Sequence, residues 1–342
     1  MSTVVASLNA ALHRAFATDE RLVLLGEDVL DPYGGAFRVT RGLSTAFPER
    51  VLTTPISEAG IVGVATGMAL RGLRPVVEIM FGDFVTLIAD QLINHAAKFR
   101  WMYGGDLPGR AGWHVPLIVR TPMGGRRGYG PTHSQSLEKL FLGVPGLQVF
   151  APTHFDDPGL LLEHLLLRSE VPTLFIENKL QYLLPLLNAA DQPDFTLNAW
   201  PALANSFPLA YHLSLRDAPP PRLTLTAYGY MAELARQAML HLAYQHEIFT
   251  DLLIFTRLSP FELQPLLAAL RQTGRLLALE EGTLTLGWGA EIVARAAESL
   301  GPRLEAASRL AGRDLPVPAS GPLEAATLPA VDDIVQTVKK MV

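Results

Sequence analysis

The chain contains 342 residues, of which 49% are hydrophobic and 18% are charged, and it has no cysteine. This length exceeds what one hydrophobic core usually supports, so we expect two domains. A formal net charge of -5 argues against nucleic acid and anionic membranes as partners, since both select basic patches. The lack of cysteine excludes disulfides, thiolate nucleophiles and thiolate metal sites. The charged fraction lies below the roughly 25% of an average soluble domain, which indicates that part of the surface is buried against other subunits.

The N-terminal residues have the pattern of a packed amphipathic helix. Leu8, Ala11, Leu12 and Ala15 recur at helical spacing and are followed by acidic residues. The basic start and unbroken apolar run that are typical of a signal peptide do not occur. Nowhere do about 18 apolar residues run without a charge or a breaker, so no membrane span is expected.

Strand and helix patterns alternate along residues 1–185. Short apolar runs bounded by glycine or proline predict buried strands at Arg21–Gly26, Val51–Thr54, Pro75–Met80, Pro116–Arg120, Leu147–Phe150 and Thr173–Ile176. The intervening helices are predicted at Glu58–Arg71, Phe84–Trp101 and Asp156–Arg168. Such alternation is typical of a mostly parallel sheet covered on both faces, so this N-terminal domain is predicted to be α/β.

Residues 186–222 break this rhythm with repeated prolines, and we predict a linker there. A second alternating set follows over residues 223–342, which predicts a separate, smaller α/β domain. Its predicted elements are Arg222–Ala227, Met231–Tyr244, Ile248–Ile254, Pro260–Gln272, Leu276–Glu280, Ala290–Leu300, Leu304–Leu310 and Ala330–Val342.

One acidic residue, Glu58, stands at the mouth of a glycine-rich helix. Pro55 ends the strand predicted just before it, and residues 61–70 are small and apolar all round, as expected of a helix packed on every side. A carboxyl group at this junction lies against a dry core, where desolvation raises its pKa. Such a group can hold and polarise a nitrogen heterocycle through a protonated contact. The alternative is a glutamate that is favoured there only by the helix dipole.

Further motifs follow in a characteristic order. They are Glu78–Phe84, Asp90–Arg100, Gly124–Ser136 and Val144–Val149, with Glu280–Gly282, Gly287–Ile292 and Leu315–Pro318 in the second half. In this order and spacing, the chain resembles the beta subunits of the thiamine-diphosphate-dependent 2-oxoacid dehydrogenases of the pyruvate, branched-chain and acetoin types, which are transketolase-like. The resemblance extends from about Leu25 to the C-terminus and is weak between about Leu186 and Arg222. It implies a pyrimidine-binding domain followed by a transketolase C-terminal-like domain.

The resemblance assigns roles to three residues. Glu58 would be the glutamate bonded to the ring nitrogen of the cofactor's aminopyrimidine, whose tautomerisation it drives. Phe84 matches the aromatic residue that packs against the aminopyrimidine. His133 resembles the active-site histidine that faces the thiazolium and serves reductive acylation of the lipoyl group. From the residues alone, periodicity favours an ordinary core aromatic residue at Phe84, and a solvated turn residue explains His133 as well as a catalytic role does.

Other candidate sites have simpler explanations. Gly124–Gly128 could cradle a phosphate, but it lacks the spacing and the Lys-Ser/Thr of a phosphate loop, so we interpret it as a mobile loop near the active-site mouth. Asp156 and Asp157 start a helix and most simply cap it, although the family carries a structural K⁺ near this turn. The histidines other than His133 lack the spacing and acidic partners of a metal site, so no metal ligand is predicted in this chain.

A missing motif defines the expected assembly. The resemblance implies that Mg²⁺ and the diphosphate are held by a Gly-Asp-Gly signature, whereas this chain has only Gly82-Asp83-Phe84 and Gly105-Asp106-Leu107. It would therefore hold only the pyrimidine half of thiamine diphosphate, and an alpha subunit would bring the rest in an α₂β₂ heterotetramer. The implied reaction is oxidative decarboxylation of a 2-oxoacid, pyruvate or branched-chain, with acyl transfer to the lipoamide of an acyltransferase core.

Two alternatives stay open at this point. Half of another transketolase-like thiamine enzyme, such as an acetoin dehydrogenase or a deoxyxylulose phosphate synthase, would also keep Glu58. A non-catalytic scaffold subunit would make Glu58 or His133 dispensable. The family pattern begins almost at residue 1 and would leave no room for an organellar presequence, which favours either a cytoplasmic bacterial or archaeal protein or a mature form.

Overall fold

The computed structural model describes residues 2–103, 112–187, 192–200 and 207–342, which form two compact units. The first unit comprises Met1–Met123, Leu140–Phe150 and Asp156–Leu186, and the second comprises Gly124–Lys139, Ala151–Phe155 and Leu187–Val342. The second unit is therefore discontinuous in sequence. It includes the glycine-rich motif and His133, although both precede most of its residues along the chain.

Parallel strands form the sheet of the first unit. They are β1 (Leu22–Gly26), β2 (Val51–Thr53), β3 (Arg74–Glu78), β4 (Ile118–Met123), β5 (Gln148–Phe150) and β6 (Thr173–Asn178). Their spatial order is β5-β6-β4-β3-β1-β2, and each neighbouring pair is parallel, as predicted. All residues of β1 are buried, which explains why this strand is an unbroken apolar run.

The helices of the first unit lie close to their predicted positions, except for a short helix over Leu43–Ala46 that was not predicted. They are α1 (Val4–Thr18), α2 (Leu43–Ala46), α3 (Glu58–Leu70), α4 (Ala97–Met102) and α5 (Pro158–Arg168). The Asp157 carboxylate accepts hydrogen bonds from the N–H groups of Gly159 and Leu160, at 2.9 and 3.2 Å, where α5 begins. This confirms the predicted helix cap at that turn.

Residues 82–102 differ from the single helix predicted over Phe84–Trp101. A 3-10 helix spans Gly82–Ile88, a π-helix spans Gln91–Ala96, and α4 completes the segment. A Cβ atom added at Gly82 would lie 2.1 Å from Cγ of Met123, at the end of β4. The start of the segment is therefore set by close packing at the sheet edge. Apolar spacing over so few residues does not distinguish i+3, i+4 and i+5 hydrogen bonding.

The second unit contains a mixed sheet. Its strands are β7 (Phe195–Ala199), β8 (Ala210–Leu215), β9 (Leu223–Ala227), β10 (Thr250–Phe255), β12 (Arg275–Thr283) and β13 (Ala306–Gly312). A short strand outside this sheet, β11 (Arg257–Ser259), follows β10 in the chain. The sheet order is β13-β12-β9-β10-β8-β7. The first four strands in this order are mutually parallel, whereas β8 runs antiparallel to both β10 and β7.

Strands β7 and β8 lie within residues 186–222, where the prolines predicted a linker. Both strands alternate apolar and polar side chains: Phe195 and Leu197 in β7, Tyr211 and Leu213 in β8. Phe195, Tyr211 and Leu213 are buried in the core of the second unit. Parts of the predicted linker, residues 188–191 and 201–206, lie outside the described residues.

The helices of the second unit agree with the predicted pattern, except for a short helix over Gly321–Thr327 that was not predicted. They are α6 (Met231–His246), α7 (Gln264–Thr273), α8 (Trp288–Leu300), α9 (Gly321–Thr327) and α10 (Val331–Met341). Helices α6 and α10 pack together, and their apolar side chains join those of the central strands in one core. In the part of the chain that the structure describes, no helix is both long and apolar enough to cross a membrane.

Candidate active site

Acidic and aromatic side chains collect at the carboxyl edge of the first sheet. Glu27 directly follows β1, Glu58 follows β2 at the start of α3, and Phe81 and Phe84 follow β3. The carboxyl ends of parallel strands meet at one edge, which is where open α/β sheets bind ligands. The topology therefore places residues from three neighbouring strands at a position suited to a ligand.

Glu58 is the first residue of α3, and its side chain is only 7% exposed. Segment 82–88 packs against α3, so the helix is covered on that side. The opposite face of α3 is open: Val64 is 57% exposed, and Ile56, just before the helix, is 82% exposed. The expectation of a helix packed on every side thus does not hold within this single chain.

Glu27 is a candidate site residue that the sequence analysis did not name. Burial raises its pKa, and the nearby carboxylates of Glu58 and Asp28 raise it further. Its Oε1 atom is buried and has no hydrogen-bond partner among the described residues. Thr54, whose N–H donates to the carbonyl of Gly26 at 3.1 Å, has a buried Oγ1 that likewise lacks a partner in the described parts of the chain. An acidic residue directly after a buried strand was the signal available in the sequence.

Phe84 lies in the 3-10 helix at the same edge. Its ring meets that of Phe81 edge to face, with centroids 6.2 Å apart. Phe81 also contacts the ring of Phe37, and the Lys179 ammonium lies 5.4 Å from the Phe81 centroid. Phe84 itself is half-buried, whereas a core aromatic residue would be fully buried. This placement favours a ring that can contact a ligand.

A charged network lies beneath this edge and was also missed. Arg120 is 1% exposed and donates to both Glu177 oxygens at 2.7 Å and to Glu78 Oε2 at 2.8 Å. The Tyr182 hydroxyl donates to Glu177 Oε2 at 2.7 Å. Burial raises the pKa values of Glu78 and Tyr182. A Cβ added at Gly35 would lie 2.3 Å from Glu78 Oε1, so the loop after β1 packs closely on this network.

His133 belongs to the second unit, whereas Glu58 and Phe84 belong to the first. It is half-buried, and its N–H donates to the carbonyl of Gly130 at 3.2 Å. Its Nδ1 lies 2.9 Å from the hydroxyl of Thr132. The ring is thus oriented by its own loop. Among the residues that the structure describes, no group of three or more His, Cys, Asp or Glu side chains could hold a metal ion.

Comparison with known proteins identifies the family. Residues 2–183 match the transketolase pyrimidine-binding domain, and residues 214–334 match the transketolase C-terminal domain. The chain is 36% identical over 340 residues to the pyruvate dehydrogenase E1 component subunit beta-2 of Oryza sativa subsp. japonica, covering 99% of this chain and 85% of the relative. It is 36% identical over 324 residues to the 2-oxoisovalerate dehydrogenase subunit beta of Pseudomonas aeruginosa, covering 92% and 88%.

The chain belongs to the 2-oxoacid dehydrogenase beta-subunit family. This places it among oxidoreductases of the 2-oxoacid dehydrogenase type, and membership implies the use of thiamine diphosphate. The 3-methyl-2-oxobutanoate dehydrogenase subunit beta of Mycobacterium tuberculosis extends the match, at 32% identity over 99% of this chain and 91% of the relative. The resemblance to 2-oxoacid dehydrogenase beta subunits, which the motifs indicated, is therefore confirmed.

The two-domain α/β fold of this beta-subunit family member is also confirmed. A solved structure titled as a split gene transketolase, inactive beta4 tetramer, superposes with a TM-score of 0.72 over 98% of this chain and 96% of that chain. At 20% sequence identity, this similarity concerns the fold alone. The candidate residues at the sheet edge and in the His133 loop are therefore identified from this chain and not from that structure.

Proposed function

We propose that this chain is the beta half of the decarboxylating component of a 2-oxoacid dehydrogenase. It would act on pyruvate or a branched-chain 2-oxoacid with an alpha subunit in an α₂β₂ assembly, and pass the acyl group to the lipoyl group of an acyltransferase core. The observation that carries this proposal is the carboxyl edge of the first sheet, where buried Glu58 adjoins Glu27 with its unpartnered oxygen.

The residues present fit the pyrimidine half of thiamine diphosphate. A buried carboxyl group, two unpartnered polar atoms and a half-buried aromatic ring are the groups that a flat, polar heterocycle would engage. Glu58, Thr54 and Phe84 would hold it there. The chain contains no Gly-Asp-Gly signature, so we assign Mg²⁺ and the diphosphate to the alpha subunit.

Each side chain then has a distinct task. When bound, thiamine diphosphate supplies the electron sink for cleavage of the carbon–carbon bond. Glu58 holds a proton between its carboxyl oxygen and the ring nitrogen of the pyrimidine. Glu27, whose pKa is raised, keeps a proton at this edge to higher pH than an ordinary glutamate. Phe84 orients the ring, and the buried surroundings of Glu58 exclude water from the exchange.

His133 is assigned to the acyl-transfer step. The Thr132 hydroxyl at 2.9 Å from Nδ1 can fix the orientation and tautomer of the imidazole, so that a proton is given up or accepted at Nε2. The disulfide bond of the lipoyl group would break as one sulfur bonds to the acyl carbon, and the proton would go to the other sulfur, which leaves with the bonding electron pair. The assignment of His133 rests on the motif around it and on this hydrogen bond.

An exposed apolar surface beside the site supports the proposal that an alpha subunit binds there. Ile56, Val64 and Leu87 are 82%, 57% and 54% exposed, and they flank the buried Glu58 on α3 and the adjoining 3-10 helix. Uncovered apolar side chains next to a ligand site are typical of surfaces that bind another protein. As further parts of this proposal we retain a structural K⁺ near the Asp157 turn and a cytoplasmic location.

Calorimetry tests the proposal directly. We expect the isolated chain to bind thiamine diphosphate weakly or not at all in the presence of Mg²⁺, because it lacks the diphosphate ligands. Co-expression with the alpha subunit should create a Mg²⁺-dependent site. Tight, Mg²⁺-dependent binding by the purified beta chain alone would contradict the shared site.

A further inference from the structure

The glycine-rich loop before His133 binds anions, and those anions are side chains of the same unit. The N–H of Gly125 donates to Glu281 Oε1 at 2.7 Å. The N–H of Arg126 donates to Glu324 Oε1 at 2.7 Å, and the N–H of Gly128 donates to Glu324 Oε2 at 3.1 Å. The donors that could have cradled a phosphate are therefore occupied by two carboxylates.

The backbone conformation of the loop makes this possible. Gly124, Arg126 and Gly128 have φ values of 98°, 68° and 68°, in the left-handed region. When residues with left-handed φ alternate with residues of negative φ, successive N–H groups turn toward the same side of the chain and form a concave anion site. For Arg126, which has a Cβ, this conformation is sterically unfavourable. Hydrogen bonds from the loop N–H groups to charged acceptors offset that steric cost.

The carboxylate acceptors are well placed to hold the loop still. Glu281 and Glu324 are 6% and 5% exposed, so water competes little for their oxygens. The Arg126 side chain donates to the carbonyl of Pro329, and its Nε lies 3.5 Å from Glu281 Oε2. The Arg126 guanidinium thus partly compensates the charge of Glu281, while the backbone N–H of the same residue bonds Glu324.

The other end of the loop is attached as well. The Lys139 ammonium donates to Thr283 Oγ1 at 2.5 Å and to the carbonyl of Thr285 at 2.6 Å. Glu138 accepts a hydrogen bond from the hydroxyl of Tyr228. His133 therefore lies between two attachments to the second unit, one through Glu281 and Glu324 and one through Glu138 and Lys139.

Close packing reinforces the Glu324 contact. A Cβ added at Gly125 would lie 2.7 Å from Leu328 Cδ1 and 3.3 Å from Glu324 Oε1. Glu324 lies in the short helix α9, and the N–H of Leu328 donates to its carbonyl at 3.1 Å. Helix α9 and the loop thus meet with no room for an added side chain at Gly125. A displacement of the Glu324 carboxylate would be transmitted to the loop backbone.

We propose that Glu324 is a positioning residue for His133. Through the N–H groups of Arg126 and Gly128, it sets the backbone of the loop from which His133 acts. This inference rests on the proposed function, in which His133 transfers the proton during acyl transfer. Glu324 touches neither substrate nor cofactor in this scheme, and its effect is exerted through the loop.

Two variants of Glu324 in the assembled alpha–beta enzyme test this. Glu324→Gln keeps the size but replaces one acceptor oxygen by an NH₂ group, which cannot accept a hydrogen bond, and Glu324→Ala removes both acceptors. We expect acyl transfer to lipoamide to fall roughly 10- to 100-fold, the size of one charge-assisted hydrogen bond, with Ala at the larger end. Decarboxylation measured with an artificial electron acceptor should change much less. Glu291→Ala, an exposed acidic residue on α8, is the matched control and should alter neither rate.

A double-mutant cycle with His133→Ala separates positioning from general stability. If Glu324 acts through His133, adding Glu324→Ala to His133→Ala should lower acyl transfer no further, because coupled residues are not additive. A full additional decrease in the double variant would overturn the proposal. The same holds if Glu324→Ala and Glu324→Gln lower both reactions equally.

Amide hydrogen exchange gives a readout that does not depend on the role of His133. In the assembled Glu324 variants, peptides covering residues 124–139 should exchange faster, while peptides of the first unit should not. Unchanged exchange would overturn the proposal even if activity fell. If His133→Ala affects neither reaction, the proposed role of His133 fails, and the exchange data still decide whether Glu324 holds the loop. Should Glu324→Ala not assemble, Glu324→Gln carries the same measurements.

Discussion

The first unit contains two groups of acidic side chains that differ in how fully their oxygens are hydrogen-bonded. Glu78 and Glu177 share the Arg120 guanidinium, and Tyr182 adds a further donor. Glu27 and Glu58 lie at the sheet edge, where Glu27 Oε1 has no partner among the described residues. Buried polar groups normally find partners, so an exception needs an explanation. Burial by itself does not mark an acid as a candidate for function, whereas an unpartnered acceptor at the edge where such sheets bind ligands does mark Glu27 as one.

The largest expected effect is on the chemistry at Glu58. Glu58→Gln keeps the shape but cannot shuttle a proton, so decarboxylation in a single-turnover assay of the assembled enzyme should fall roughly 10²- to 10⁴-fold. Urea unfolding should change little, because this acid group acts on a ligand. Glu49→Gln, at an exposed position of the same unit, is the control. Near-normal decarboxylation in the Glu58 variant would refute its assignment.

The next largest effect is expected at His133, which lies in the second unit. His133→Ala should lower flux through the complete complex at least about 100-fold, since a general acid would be lost, while decarboxylation with an artificial electron acceptor stays partly intact. An equal fall in both assays would move His133 to substrate binding or decarboxylation. No fall in either would leave it as a turn residue.

Substitution of Arg120 tests the fully hydrogen-bonded acids, Glu78 and Glu177, because its effect should appear in the free energy of unfolding. Arg120→Met leaves two buried carboxylates unpaired, and the free energy of unfolding should decrease by about 3–5 kcal/mol. The control is Arg14→Met, which breaks a surface pair with Glu163 and should cost at most about 1 kcal/mol. If both variants unfold at the same urea concentration, the buried network is not a stabilising feature.

A smaller, pH-dependent effect is expected for Glu280 in the second unit. Burial raises its pKa to about 7 from 4.5, and the neighbouring Glu138 adds to this, although N–H groups of Trp288 and Gly289 oppose the shift. The folded chain therefore favours the protonated acid. Its contribution to stability should be complete below pH 4.5 and be lost as the pH rises through about 7.

Urea titrations at pH 5 and pH 8 would measure this contribution. The free energy of unfolding should change between pH 5 and pH 8 by a smaller amount in Glu280→Gln than in the unsubstituted chain. The two changes should differ by at most roughly 3 kcal/mol. An identical difference in both proteins would mean that Glu280 ionises with an ordinary pKa. Unlike Glu27, this acid has its partners within the protein, so activity should not follow the same pH profile.

Much of the fold could be predicted because the strands have simple local patterns. The buried run Leu22–Gly26 and the strand-to-helix junction at Glu58 depend on residues that are adjacent in sequence. Strands β7 and β8 were missed because neighbouring prolines masked a short alternating pattern. Segment 82–102 was predicted to be one helix because its packing against Met123 is a tertiary contact that periodicity does not contain.

The candidate site was predictable only in part, for a similar reason. Glu58, Phe84 and His133 stand in motifs, whereas the Arg120 network joins residues 42 and 57 positions apart. No local pattern links these residues. Glu27 could have been suspected as an acid after a buried strand, but its importance depends on Glu58 being close in space.

The bond between the Arg126 N–H and the Glu324 carboxylate has a consequence for synthesis of the chain. Its partners are separated by 198 residues, and the acceptor lies near the C-terminus. At roughly 5–20 residues per second on the ribosome, the donor waits about 10–40 s for its acceptor. Until then, the N–H groups of Arg126 and Gly128 lack the carboxylate that accepts from both of them. The loop that carries His133 is therefore completed among the last parts of the protein, and a nascent chain that stops before α9 would lack an ordered His133 loop.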